Sequence, residues 1–515
     1  MFSWLLACLL SLNTLLLHAL DVNTSQLNAD RSGQSLCTPQ LQDAIDRISA
    51  NGGGRLTVAR GIYLTGSLVM KSGVEIHLEE GATLRGSTHP RDYISATATG
   101  VGKTPDIDNG SALIYANGAD NIALSGHGVI DGQGLQLALT IDSLHHTGER
   151  PDPQYNHRRL RPNTRPKLVF FLHCRNVRVE QLHLQSSAEW GLVLNKCERV
   201  DIRAIDLLNR AYWNNDGIDI TGCRNVSITH CRINAADDGI CLKSHHPDEL
   251  NADIEIAHCD IRSSASAVKF GTASYGDFRR IHIHDIKVAD TFRSALAIES
   301  VDGGTIDSIL VERVEAVNTG NPIFLRLGNR AGTQAGALRH VVIRDLRCEV
   351  PFGRPDEAYD LRGPEVNFFH NPFPSSICGI PGSRIESVLI ENVAISYPGR
   401  ATKGMAYMPL WRVADVPELI DAYPEFSMFG ELPAWGFYVR HAAGVTFRNV
   451  RLTLSDADFR PAFVFDDVEG VSLEQVLPDV NSQIFFAQCG GVGYWLFAAF
   501  SSVVTVSVGS MSTRA

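Results

Sequence analysis

Asn-Val-Arg-Val (176–179), Arg-Val-Asp-Ile (199–202), Asn-Val-Ser-Ile (225–228), Asp-Ile-Glu-Ile (253–256), Arg-Ile-His-Ile (280–283) and Ser-Ile-Leu-Val (308–311) are six copies of one short pattern. Their first apolar residues, Val177, Val200, Val226, Ile254, Ile281 and Ile309, lie 23, 26, 28, 27 and 28 residues apart. Earlier copies sit at Val74/Ile76 and Ile122/Leu124, and later ones at Val341/Ile343, Val388/Ile390, Val445/Phe447 and Val471/Leu473. Each alternates apolar and polar residues, the signature of a strand with one buried face. Gly, Asn and Asp mark the ends of the copies, as turns require.

Strands recurring at this interval, with no helical pattern between them, argue against βαβ units and for a parallel β-helix. In such a solenoid each coil pairs with the next at roughly 4.8 Å, and Val, Ile and Leu stack into one continuous core. An antiparallel sandwich also uses many short strands. It does not explain why Cys174, Cys197 and Cys223 each precede the repeat by three residues. Stacked coils do: the three form a ladder at one corner. A solenoid grows along one axis, so most of the 515 residues form one domain, expected over 30–480. The segment Thr38 to Ala50 has helical spacing (Leu41, Ile45, Ile48). It is the expected cap on the open end of the core.

Residues 1–20 read as a secretory signal peptide, an apolar run without a preceding Lys or Arg. From Phe485 to 515 the chain carries no coil motif and forms an atypical tail, too short in its apolar stretch for a membrane span. A net charge of −11 and a pI near 5.9 exclude nucleic acid and anionic membrane as natural partners. Eleven cysteines without a Cys-x-x-Cys pair give no zinc or redox motif. No metal or cofactor is expected, and the protein reads as a monomer.

Two acidic clusters fall within the repeat. They are Asn214-Asn-Asp216-Gly-Ile-Asp219 and, twenty-one residues after Asp216, Asp237-Asp238-Gly239. Coil stacking brings Asp216, Asp237 and Asp238 onto one wall, the equipment for acid/base cleavage of a glycosidic bond. Singly, each reads as a corner residue closing a turn; as a set with these flanks, they read as catalytic. Asp219, two positions on, divides evenly between cleft and structural roles. Lys243 and Lys269 alternate with apolar residues and face outward, toward substrate or toward water. Arg326 and Arg330 flank Gly328 in a similar position. Trp190 is a sugar platform or a packed ring.

Gly52-Gly-Gly-Arg-Leu-Thr-Val58, Gly126-His-Gly-Val-Ile-Asp-Gly-Gln-Gly134, Trp190, Asn214-Asn-Asp-Gly217 and Asp237-Asp-Gly-Ile-Cys-Leu-Lys-Ser244 follow one another in the chain. In that order they resemble the polygalacturonase family of glycoside hydrolases, family 28, in its bacterial branch. The resemblance spans roughly 36–475. It implies a single-stranded right-handed parallel β-helix of the pectin-lyase-like kind. It also implies a secreted enzyme hydrolysing pectic polysaccharide with inversion. By motif, Asp237 becomes the general acid, Asp216 and Asp238 hold and deprotonate the attacking water, and Asn214 contacts substrate.

Three departures stand out. Asn215 replaces the usual Thr. Ala265-Ser266-Ala267 stands where a Gly-His-Gly segment is usual. Ala297-Ile298-Glu299 stands where Arg-Ile-Lys grips a substrate carboxylate. Lys243, Lys269, Arg326 and Arg330 are the candidate replacement cations. Long inserts at 85–110, 135–166 and 350–380 are expected to shape the cleft and favour attack at chain ends. Two alternatives stand beside hydrolysis: calcium-assisted β-elimination on the same scaffold, and a non-catalytic carbohydrate-binding surface.

Overall fold

The computed structural model describes residues 19–94, 111–153, 155–156, 160, 164–332, 334–356, 372–402, 408–479, 482–489, 495–497 and 504–508. The proposed signal peptide up to residue 18 and the insert segments 95–110 and 357–371 lie outside the described residues.

Three parallel sheets run the length of a right-handed β-helix. Sheet A stacks the repeat itself: Val177 pairs with Val200, Val200 with Val226, Val226 with Ile254, Ile254 with Ile281 and Ile281 with Ile309. In-register pairing is what the spacing predicts, because every apolar residue of the pattern then faces the same core. The residue before each apolar position (Asn176, Arg199, Asn225, Asp253, Arg280, Ser308) adopts a positive φ between 53° and 62°. The bend recurs at the same place in each coil and so preserves register, while the difference between 23 and 28 residues is taken up in the connections between strands. Sheet B contains Val129–Asp131, His183–Gln185, Asp206–Asn209, Arg232–Ala235 and Asp260–Ser263. Sheet C contains Lys167–Leu172, Leu192–Asn195, Ile218–Thr221, Ile240–Ser244 and Val268–Ser274. From Asp277 onward one continuous strand, Asp277–Ser300, supplies all three sheets.

The helix Thr38–Ala50 forms as predicted, with Leu41, Ala44, Ile45 and Ile48 buried over the first coil. Cys174, Cys197 and Cys223 stack at one corner, Cys197 N–H donating to Cys223 Sγ at 3.3 Å. All ten described cysteines are buried and free. The solenoid also exceeds the expected bounds. Leu20–Asn23 pairs with Gly54–Val58 at the front. At the back Ile484–Ala487 adds a parallel strand beside Phe463–Asp466. Strands Trp495–Phe497 and Val504–Val508 pair antiparallel with the last coil, so the tail is not without strands.

A second helix, Gly134–His146, was not anticipated. Its sequence alternates Leu135, Leu137, Leu139 and Ile141 with other residues and so imitates a strand. Only Leu137, Ala138 and Ile141 turn inward, at helical spacing.

Candidate active site

Sheet C positions the acids. Ile218, Ile220, Ile240 and Leu242 point into the core, so the residues alternating with them point out. Register sets Asp219 beside Cys241 and Thr221 beside Lys243. Cys241 lies beside Lys269, and Lys269 beside Ala297. Just before these strands, Gly217 N–H donates to Asp238 O at 2.9 Å and Gly239 N–H to Ser266 O at 2.8 Å. Asp216 and Asp238 are therefore neighbours on successive coils. The glycine after each is a requirement of that closeness: a Cβ on Gly217 would lie 2.3 Å from Gly239 O, and one on Gly239 2.6 Å from Ala267 O. Asp237 follows one residue earlier, its Oδ1 accepting from Asp238 N–H at 3.1 Å.

Asn215 builds the turn beneath Asp216. Its side chain accepts from Ala211 N–H (2.6 Å) and Tyr212 N–H (2.7 Å) and donates to Ser187 O (3.0 Å) and Glu189 O (2.6 Å). Four bonds at a fully buried position give the Thr-to-Asn departure a structural role. Asn209 donates to Asp216 O at 2.7 Å. The acids keep only a sliver of surface: Asp216 is 4%, Asp237 7% and Asp238 4% exposed. Together they form the floor of the candidate site.

Two lysines organise the floor. Lys243 donates to Asp216 Oδ2 at 2.8 Å and also contacts Asp219 Oδ1. Its Nζ lies 3.9 Å from the centre of the Trp190 ring. Lys269 lies 3.2 Å from Asp238 Oδ2, donates to Tyr423 Oη at 3.2 Å, and is 4.0 Å from Glu299 Oε2. Burial would lift all the carboxyls, so the cations decide their order. Asp238 is held below the usual range because Lys269, Arg293, Lys243 and the Ser266 N–H outweigh its desolvation. Asp237 lacks such a contact. Burial and the charges of Asp216 and Asp238 push it up to about 7, against a weaker pull from Arg293 and Lys269. Burial also raises Asp216 and, much further, Asp219, with Lys243 opposing both. One ammonium thus serves two buried carboxyls at once. The floor thus sets Asp237, raised to about 7, beside Asp238, whose carboxyl is held low.

Several expected contacts have other employment. Trp190 is 5% exposed and packs with Tyr115 and Phe170. It is a cation–π seat under Lys243 and leaves no open face for a sugar. Arg326 is 1% exposed and donates to the carbonyls of Gly379 (3.0 Å), Glu418 (2.7 Å) and Leu419 (3.0 Å). Arg330 is held by Asp302 through two bonds of 3.0 and 2.7 Å. Arg326 serves as a structural clamp, its nitrogens filled by backbone oxygens, whereas Arg330 keeps 26% of its side chain exposed with Asp302 on two of its nitrogens. Asn214 is partly exposed, with its Oδ1 accepting from Arg165 at 3.0 Å.

Other residues join unannounced. Arg293 pairs with Glu425 at 2.7 Å, and both are buried. Its position was readable: Asp237, Ala265 and Arg293 are spaced 28 and 28 apart, and Arg293 N–H donates to Ala265 O. Tyr423 and Glu425 arrive from the insertion after Tyr397, which has no periodicity to place it. That insertion lies across the C-terminal side of the site. On the other side the buried Arg165 bonds Trp213 O at 2.5 Å.

Asp216, Asp238 and Cys241 bring potential ligand atoms within 4.8 Å of one another. Both carboxylates already bond an ammonium group, and calcium prefers oxygen donors to a thiol. The floor does not suit the calcium that β-elimination uses.

Comparison with known proteins gives a consistent picture. The sequence profile of "Glycosyl hydrolases family 28" matches residues 53–347, more than half of the chain. A probable polygalacturonase of Vitis vinifera is 24% identical over 373 residues, 71% of this chain and 67% of that protein. An endo-polygalacturonase of Pectobacterium carotovorum subsp. carotovorum is 23% identical over 303 residues, 57% of this chain and 73% of its own. Among solved structures, a family 28 exopolygalacturonase of Yersinia enterocolitica superposes with a TM-score of 0.64 at 17% identity. That match covers 88% of this chain and 78% of the other. An exopolygalacturonase of Thermotoga maritima gives 0.59 at 19% identity, covering 94% and 95%. At such identities these structures establish the fold alone.

Proposed function

This chain belongs to family 28 of the glycosyl hydrolases and is a glycosidase, and from that premise we propose that it hydrolyses pectic polysaccharide outside the cell, from chain ends, with inversion. The bond type that the family resemblance implies is the α-1,4-galacturonosidic one, and the names of the relatives support a galacturonate-containing chain.

The observation that carries the reading is the meeting of three acids from successive coils, with a lysine on Asp216 and another on Asp238. Asp237, at about 7, keeps its proton through weakly acidic conditions. Asp238 is held ionised by Lys269, and Asp216 bonds Lys243. In the proposed step Asp237 gives its proton to the glycosidic oxygen as that bond to the anomeric carbon breaks. A water held by Asp216 and Asp238 attacks the opposite face and passes a proton to one of them. Asp237 ends ionised and the base protonated, and exchange with solvent restores both. Inversion needs acid and base roughly 6.5–9.5 Å apart, room for one water.

Attack at chain ends is supported by the insertion packed against the C-terminal side of the acids. Arg165 ties the segment after the helix Gly134–His146 to Trp213 and Asn214. Lys269, Arg293 and Arg326 hold Tyr423, Glu425, Glu418 and Leu419 of the insertion. A floor closed at one end accepts a terminus more readily than the middle of a polymer. The decisive variant is Asp237→Asn, which keeps size and removes the proton. Turnover of a pectic polymer should fall by about a thousandfold or more while oligosaccharide binding persists. Unchanged turnover removes Asp237 as the acid.

A further inference from the structure

Beyond Asp238, on the C-terminal side, four side chains surround one place on the floor: Lys269, Glu299, Glu425 and Tyr423. Lys269 is committed to Asp238 and Tyr423, at 3.2 Å each. Arg293 is committed to Glu425. Glu299 faces outward beside them, since Ile298 next to it points into the core. It is 2% exposed, and its Oε2 has no hydrogen-bond partner. The Lys269 ammonium stands 4.0 Å from that oxygen, beyond hydrogen-bonding distance. A buried carboxyl oxygen left unmatched is costly unless something else completes it. Tyr423 is 52% exposed although its hydroxyl reaches the buried Lys269, so its ring stands at the edge of the site.

The charge count points the same way. Six carboxyls, Asp216, Asp219, Asp237, Asp238, Glu299 and Glu425, share this floor with Lys243, Lys269 and Arg293 among the described residues. Each of the three cations already bonds an acid. A substrate carboxylate placed beside Glu299 would add an anion to a site of low dielectric that is already rich in acids. A hydroxyl there would instead meet an unmatched oxygen and an aromatic face, the chemistry that suits an uncharged sugar.

We propose that Glu299 is a specificity-determining residue, and that the seat it forms with Lys269 and Tyr423 takes a sugar unit whose C6 group is uncharged. This rests on the pectic reading above and narrows it. The unit is a neutral sugar within the chain, or a galacturonate masked as its ester. Burial, aided by the charges of Asp238 and Glu425, lifts Glu299 to about 8 against the pull of Lys269 and Arg293.

The test uses the whole enzyme and four polymers. They are polygalacturonate with free carboxylates, the same chain fully methyl-esterified, the same chain with its carboxylates reduced to alcohols, and a pectic backbone alternating uronate with a neutral deoxyhexose. The expected kcat/KM is at least about tenfold higher on one or more of the last three than on the free acid. Glu299→Lys should shrink that ratio by about tenfold, mainly through KM. Fastest hydrolysis of the free acid overturns the proposal, whether or not the variant folds. Failure to cut any of the four overturns the pectic reading itself, and this one with it.

Discussion

The Lys243 ammonium stands 2.8 Å from the Asp216 carboxylate on the preceding coil, and the same nitrogen contacts Asp219. Both acids sit in a floor where burial alone would keep them neutral. Lys243→Met removes the charge and retains most of the stem. Asp216 then rises further, and the acidic limb of the pH–rate profile moves to higher pH. The expected loss in kcat is about a hundredfold or more, from a general base short of its ionised form. Stability falls by about 3–5 kcal/mol in urea unfolding, the cost of stranding a buried charge. A variant with an unshifted acidic limb would detach Lys243 from Asp216.

The basic limb belongs to Asp237. Its proton is required, and its pKa is raised to about 7 by burial and by its two acidic neighbours. Activity should therefore hold below that value and decline as pH rises through it. Asp238, held low by Lys269 and Arg293, stays ionised throughout. Replacing Lys269 by Met removes a cation that pulls Asp237 down, so the basic limb should move upward. kcat/KM measured from pH 4 to 9 for both proteins checks this.

Arg326 tests the role of the insertion. Its fork is divided among the carbonyls of Gly379, Glu418 and Leu419. Arg326→Lys cannot reproduce that geometry. Loss of about 1–3 kcal/mol of stability is expected, together with loosening of the wall carrying Tyr423 and Glu425. Product sizes report the consequence. The parent enzyme should release short products from the start with little fall in viscosity, and the variant should give more long fragments.

Much of this was legible in the sequence because a solenoid writes its register into the chain. The spacing of Val177, Val200, Val226, Ile254, Ile281 and Ile309 fixes which residues lie on neighbouring coils, and hence that Asp216 meets Asp238. Arg293 lay within reach of the same arithmetic, two coils beyond Asp237. What the repeat does not encode is where a long side chain finds its partner. Arg326 faces outward as its register says, yet backbone oxygens of Gly379 and of the insertion fill it, and Arg330 is drawn to Asp302. Glu425 and Tyr423 come from a segment with no period at all. Only the packed chain reveals them.

The core offers a plain test of the coil stacking. Ile254 is 2% exposed and lies between Val226 and Ile281 in sheet A. Ile254→Ala should cost about 2–5 kcal/mol, through lost transfer energy and the cavity left behind. Urea unfolding measures it, and a loss below about 1 kcal/mol would be inconsistent with continuous stacking there.

Proton NMR of the newly formed reducing end, recorded in the first minutes of hydrolysis of an α-linked pectic oligosaccharide, bears most directly on three acids acting in single displacement. The β-anomer should appear first and equilibrate afterwards by mutarotation. An initial α-anomer would mean retention, and with it a covalent intermediate that leaves Asp216, Asp237 and Asp238 in different roles.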